Sequence, residues 1–138
     1  MGSGPQLSLE TKSRNGVACV AVRGELDMAT APRLDECLAP VEDDGVSAIV
    51  LDLRDLTFID SFGLRALLRA RDRAKTNQHR LVLVGANASA RRLFELTRTE
   101  FLLDDPDTAD VLSRFVGSES RGTGEALAAV LNVDARVA

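Results

Sequence analysis

Six consecutive apolar residues, Val17-Ala18-Cys19-Val20-Ala21-Val22, follow directly on Asn15-Gly16. A strand that is apolar on nearly every residue has no face to give to water, so it must be covered on both sides, as central strands of α/β sheets are. Asn-Gly supplies the positive φ angles of a tight type I′ turn, which makes Leu7 to Ser13 and Val17 to Arg23 the two arms of a β-hairpin around Arg14-Asn15-Gly16. Two further short apolar runs, Ala48 to Leu51 and Leu81 to Val84, read as buried strands of the same kind. An apolar sheet covered on both faces needs helices to cover it.

The segments between the runs supply them. Thr30 to Val41 has a cap candidate in Thr30, a proline at position 32 that fits only a first turn, and Leu34, Cys37, Leu38 and Val41 on one stripe. Glu42-Asp43-Asp44-Gly45 closes it with a polar turn. Leu51 to Ile59 carries the chain to a corner, and from Ser61 to about Asn77 the period is helical with Leu64, Leu67 and Leu68 inward. Asn87 caps a third helix that runs to about Thr97 with Leu93, Phe94 and Leu96. Phe101 to Leu103 is expected as a short edge strand, and Thr108 to Val116 as a fourth helix with Val111, Leu112 and Phe115. Strands alternating with helices after a hairpin predict a single α/β domain: a mixed, mostly parallel sheet carrying an N-terminal β-hairpin and about four helices. It spans residues 7–116, between a flexible N-terminus over 1–6 and a flexible tail over 117–138, in which Glu125 to Leu131 is at most a marginal helix.

No apolar run exceeds six residues, far short of the roughly 18 to 20 that a membrane span needs, and no charged-then-apolar signal segment opens the chain. A cytoplasmic protein without membrane insertion is the expectation. Cys19 and Cys37 have no C-x-x-C spacing, and the single histidine, His79, completes no familiar zinc pattern with them. Both cysteines read as small core residues, and no metal or other cofactor is expected. The net charge of -4 is unevenly spread: residues 61–100 hold 9 basic and 3 acidic side chains, whereas residues 1–60 hold 5 and 11. That basic island either steers an acidic partner or is a solvated helix face balanced by acidic neighbours. Within it Arg65, Arg69 and Arg73 stack like charges on one ridge. The helix lacks interleaved aromatics and the chain is acidic, so nucleic acid is not an expected partner.

In parallel α/β sheets the functional surface lies at the carboxyl ends of the strands. The corner Ile59-Asp60-Ser61-Phe62-Gly63 stands at such an end. Bare amides at a helix N-terminus favour negative charge, so a phosphate on Ser61 would suit the site; equally, Asp60 or Ser61 would suit it as a simple helix cap. Catalysis is poorly supported. A nucleophile elbow requires glycine where Ile59 stands, and the only candidate base, His79, follows the next helix near the opposite end of the sheet. Neither a P-loop nor a G-x-G-x-x-G pattern occurs, and Gly122-Thr123-Gly124 is an isolated fragment.

Two stretches change the weight of these alternatives. Gly24-Glu25-Leu26-Asp27-Met28-Ala29-Thr30-Ala31, followed some thirty residues later by Leu56-Thr57-Phe58-Ile59-Asp60-Ser61-Phe62-Gly63-Leu64, resembles the STAS domain of bacterial anti-sigma-factor antagonists. The resemblance covers roughly Leu7 to Val116 and implies a sheet backed by helices. It also implies partner switching: a non-enzymatic antagonist, acting as a monomer or weak dimer, binds an anti-sigma factor that is a GHKL-type serine kinase and frees a sigma factor. The position directly after the aspartate is the family's phosphoacceptor, here Ser61, and a phosphatase of the protein phosphatase 2C type resets the switch. The docking surface carried over comprises Asp27, Thr30, Asp60, Ser61, Phe62, Gly63 and Arg65. The family also includes STAS subunits of lipid-transport ATPase complexes and stress-signalling scaffolds, which form the alternative reading. One departure stands out, because the family commonly has a second small hydroxyl residue where this chain has Phe62. That ring can turn inward, anchor a partner, or hinder a kinase.

Overall fold

Asn15 and Gly16 take φ angles of 55° and 78°, both in the left-handed region that a two-residue hairpin turn requires. They join β1 (Leu7–Arg14) to β2 (Val17–Leu26) in an antiparallel ladder running from Arg14↔Val17 to Leu7↔Gly24. The structure, a computed structural model, describes residues 7–117; the two ends expected to be flexible, including Glu125 to Leu131, lie outside the described residues.

The other flank of β2 is occupied twice. β3 (Ala48–Asp52) pairs parallel with its first half and β4 (Leu56–Ile59) parallel with its last residues, Leu26 standing opposite Ile59. A tight turn between β3 and β4, closed by Leu56 N donating to Leu53 O at 3.0 Å, lets the chain leave β3 and rejoin the same flank of β2 further along. β5 (Arg80–Val84) extends the sheet from β3, again parallel, giving the order β1-β2-β3-β5 with β4 paired to β2. β2 is thus the central strand that its unbroken apolar run demanded.

α1 (Ala31–Asp43), α2 (Ser61–Asn77) and α3 (Ala88–Leu96) pack against one face. There Leu34, Leu38, Leu67 and Phe94 are fully buried against Val20, Ile49 and Leu51. α4 (Thr108–Val116) covers the other face, setting Val111, Leu112 and Phe115 on Val17, Val50 and Val82. Burying a Leu or Phe side chain contributes about 1.5–3 kcal/mol, so both faces hold the sheet. Among the described residues, no helix is long and apolar enough to cross a membrane.

Three local expectations are corrected. Phe101 to Leu103 is not a strand: Glu100–Leu102 forms a 3₁₀ turn, because Thr99 N returns to Phe94 O and closes the end of α3, leaving no extended backbone to pair. Leu96 does not join the core but is 72% exposed. Thr30 makes no side-chain capping bond to α1, because its hydroxyl is engaged in the loop before it. Cys19 is buried, and burial pushes its thiol up to about 12, so at neutral pH it is a small apolar side chain and not a thiolate. Cys37 is half-buried against the core.

The arginine ridge of α2 is balanced by α1. Arg69 Nη2 lies 2.7 Å from Asp35 Oδ2, Arg73 Nη1 3.2 Å from Asp35 Oδ1, and Arg73 Nε 3.0 Å from Glu42 Oε1. Beneath this network His79 is buried, and its Nε2 has no hydrogen-bond partner among the described residues. Burial pushes its pKa below the ordinary histidine value, with Arg73 acting in the same direction and Glu42 against it. The unfolded chain therefore takes up a proton near pH 6.5 that the folded chain resists. The stability gained from a neutral His79 is complete above that pH and is lost as pH falls through it. Urea midpoints measured between pH 7.5 and 5.5 should fall with pH in the wild type and stay flatter in His79→Leu; equal slopes would refute the assignment.

Candidate docking site at the carboxyl end of the sheet

Register brings the two sequence motifs together. Because Leu26 of β2 stands opposite Ile59 of β4, Asp27 and Asp60 leave neighbouring strands at the same end of the sheet. The amide of Asp60 donates to Leu26 O at 3.3 Å and joins the two corners.

Each aspartate is spent on backbone. Asp27 Oδ1 accepts from the amides of Ala29 at 3.0 Å and Thr30 at 3.1 Å, folding residues 27–30 into a closed loop. Thr30 completes that loop from inside: its Oγ1 donates to Glu25 O at 2.7 Å and accepts from Asp27 N at 2.9 Å. At 3% exposure, Thr30 shapes the loop and presents nothing to a partner, which corrects its place on the carried-over docking surface. The loop in turn starts α1, since Ala31 N donates to Asp27 O at 2.8 Å.

On the other strand the cap alternatives are decided. Asp60 has extended backbone, and its Oδ1 accepts from the amides of Phe62 at 2.9 Å and Gly63 at 3.0 Å. Ser61 is therefore not the cap but the first helical residue, exposed to solvent. Two of the amides expected to be bare, those of Phe62 and Gly63, are already occupied by Asp60, so a negative group on Ser61 does not gain them.

Gly63 is buried because α2 comes down against the strand end. A Cβ built there would sit well inside van der Waals contact distance of Leu26 O and 2.9 Å from Ile59 Cγ1. Only glycine permits this approach. Gly63 therefore belongs to the site as the residue that sets the height of the helix, not as a contact.

Around the corner lies an apolar rim: Phe62 is 43% exposed, Phe58 on β4 51%, and Met28 in the Asp27 loop 64%. Of the three possibilities for Phe62, an inward turn is ruled out. Its ring lies under Arg65, whose guanidinium carbon is 5.6 Å from the ring centroid. Met28 and Phe58 are additions that the sequence reading missed. The strand Leu56–Ile59 buries only its two end residues and leaves Thr57 and Phe58 exposed, without the strict alternation by which a sequence marks an outward face. A shallow groove of about 100 Å³ runs from Phe58 past Ile59 to Asn87 and Ser89 at the start of α3.

The site offers no catalytic constellation. His79 immediately precedes β5 and so lies at the amino end of the parallel strands, away from Ser61. No group of three His, Cys, Asp or Glu among the described residues could hold a metal. What the geometry does offer is a free hydroxyl on a rigid helix start, flanked by two immobilised carboxylates and three exposed apolar side chains.

Comparison with known proteins places the fold. The family model described as STAS domain matches residues 8–111. An anti-sigma-B factor antagonist of Staphylococcus aureus (strain NCTC 8325 / PS 47) is 33% identical over 97 residues, covering 70% of this chain and 90% of that protein. The crystal structure of an anti-sigma factor antagonist from Mycobacterium paratuberculosis superposes with a TM-score of 0.65 at 26% identity, over 85% of this chain and all of that one. The anti-sigma factor antagonist SpoIIAA in its unphosphorylated form shares the fold, with a TM-score of 0.61 at 18% identity over 71% of this chain and 85% of its own.

Proposed function

This chain belongs to the STAS-domain family, and we propose that it is an anti-sigma-factor antagonist that works by partner switching, with Ser61 as the phosphoacceptor. In its unmodified form it docks onto an anti-sigma factor of the serine-kinase class through Asp27, Asp60, Ser61, Phe62 and Arg65, releasing the sigma factor held there. The observation that carries the reading is the division of labour at the corner. Asp60 performs the capping, so the Ser61 hydroxyl, first in a 17-residue helix, is exposed and free of any structural hydrogen bond among the described residues.

In the transfer, Ser61 Oγ attacks the γ-phosphorus of ATP, the bond to the bridging oxygen of ADP breaks, and the hydroxyl proton leaves. The kinase supplies the catalysis; this chain is ligand and substrate. The new group adds about -1.5 to -2 charge beside Asp60, in a surface that a partner must desolvate. Like-charge repulsion and burial of that charge weaken docking by several kcal/mol, a 100-fold change or more. A protein phosphatase 2C-type enzyme would remove the phosphate and restore binding.

The test is a phosphorylation assay with the anti-sigma factor kinase of the same host and ATP, read by intact mass. One phosphate is expected on the wild type and none on Ser61→Ala. A phosphate on Ser61→Ala, or none on the wild type while the two proteins still bind, would overturn the assignment.

A further inference from the structure

We propose that Arg65 is the internal counter-ion of a phosphorylated Ser61, and that capturing the phosphate lifts its guanidinium off the Phe62 ring. This rests on the reading of Ser61 as phosphoacceptor and adds a second half to the switch.

The three arginines of the α2 ridge are not equivalent. Arg69 and Arg73 are held by Asp35 and Glu42 of α1. Arg65 has no carboxylate partner among the described residues and rests on Phe62 instead. Helical side chains lean toward the N-terminus, so the Arg65 guanidinium lies over the first turn of α2, and Ser61 and Arg65, four apart, share one face of that turn. Two of the first-turn amides, those of Phe62 and Gly63, already donate to Asp60 and are not open to a phosphate on Ser61. Asp60 adds a negative charge next to it. A dianion placed there has one cation on its own face and within one helical turn, and that cation is held only by an exposed ring.

The exchange follows from relative strength. A guanidinium donates paired, charge-assisted hydrogen bonds to phosphate oxygens, which are stronger than an exposed cation–π contact. Once the Oγ–H bond is replaced by Oγ–P, with a nucleoside triphosphate as donor and its diphosphate leaving, Arg65 turns from Phe62 to the phosphate. The docking surface then changes in two ways at once. It gains an anion at Ser61, and it loses the cation that an acidic partner group could have met.

The experiment installs phosphoserine at position 61 of the full chain by genetic encoding, so that no kinase is needed, and follows the second phosphate ionisation by ³¹P NMR. Pairing with Arg65 should lower that pKa by roughly half a unit relative to the same phosphoprotein carrying Arg65→Gln, with Arg65→Lys between them. The Phe62 ring protons should shift on phosphorylation in the wild type and not in Arg65→Gln. Arg65 is exposed, and matching amide spectra of the unphosphorylated variants would verify that they fold alike. Equal phosphate pKa values in wild type and Arg65→Gln, or ring protons that do not move, would overturn the proposal. Because the phosphate is installed without a kinase, that result concerns Arg65 alone. Failure of the host kinase to modify Ser61 would instead sink the phosphoacceptor reading and leave the ion pair standing.

Discussion

Gly63→Ala is expected to lower the stability of the domain by about 2–3 kcal/mol, the upper part of the roughly 1–3 kcal/mol that adding a methylene to a packed site costs. Alanine is the better helix former by about 1 kcal/mol, so on propensity alone the substitution would stabilise α2. The contact decides against it. The new Cβ meets the carbonyl of Leu26 and the side chain of Ile59, and Leu26 is held in register by Ile59 on one side of β2. Backbone cannot rotate out of the way as a long side chain can. The start of α2 must rise, and the 3.3 Å bond from Asp60 N to Leu26 O is lost with it. For a domain of this size each kcal/mol shifts the melting temperature by about 4–8 °C, so a drop on the order of 10–20 °C is expected by calorimetry. An unchanged melting temperature would show that the helix is free to move, and would remove the argument that Gly63 sets the geometry of the site.

Ser61→Asp is expected to weaken binding to the anti-sigma factor at least tenfold, about 1.4 kcal/mol, while leaving the fold intact. The two effects separate because of where Ser61 lies. As the first residue of α2, with Asp60 already capping, it uses no hydrogen bond that the fold depends on. A carboxylate in the first helical turn is favoured by the helix dipole by about 0.3–1 kcal/mol, set against repulsion from the neighbouring Asp60. Stability should therefore be unchanged or slightly higher, and Ser61→Ala should bind like the wild type. The whole loss falls on association, where a fixed negative charge joins Asp60 at the surface to be desolvated. Aspartate carries less charge than a phosphate, which is why the expected change is smaller than for the modification itself. Titration calorimetry with the purified partner measures it, and wild-type affinity in Ser61→Asp would end the case for a charge switch at this position.

Much of the architecture was legible from local chemistry. Asn15-Gly16 demands a hairpin turn, the run from Val17 to Val22 demands a central strand, and Asn87 before Ala88 demands a cap, which it provides by accepting from Ala90 N at 2.9 Å. These needs are met within a few residues, so they can be read without knowing the fold. The errors fell where a residue had two suitable employments. Thr30 is a good cap by type, yet its hydroxyl is worth more inside a loop with Asp27 and Glu25. Phe101 and Leu102 suit a strand by type, yet the return of Thr99 to the end of α3 leaves them in a 3₁₀ turn.

The corner itself shows the same boundary. Residue order alone established a strand end, an aspartate, a serine and a helix start; that the aspartate of a second motif upstream belongs with the first was implied only by the resemblance to the STAS family. Sequence spacing could not say which of Asp60 and Ser61 caps the helix, because both side chains have the reach; the backbone angle at Asp60 settles it. Nor could it bring Asp27 beside Asp60, since that depends on β4 rejoining the flank of β2 that β3 had left. The role of Gly63 and the exposed rim of Met28, Phe58 and Phe62 follow from the same junction. Close approach and shared exposure are properties of pairs distant in the chain, and only the packed sheet and helix create them.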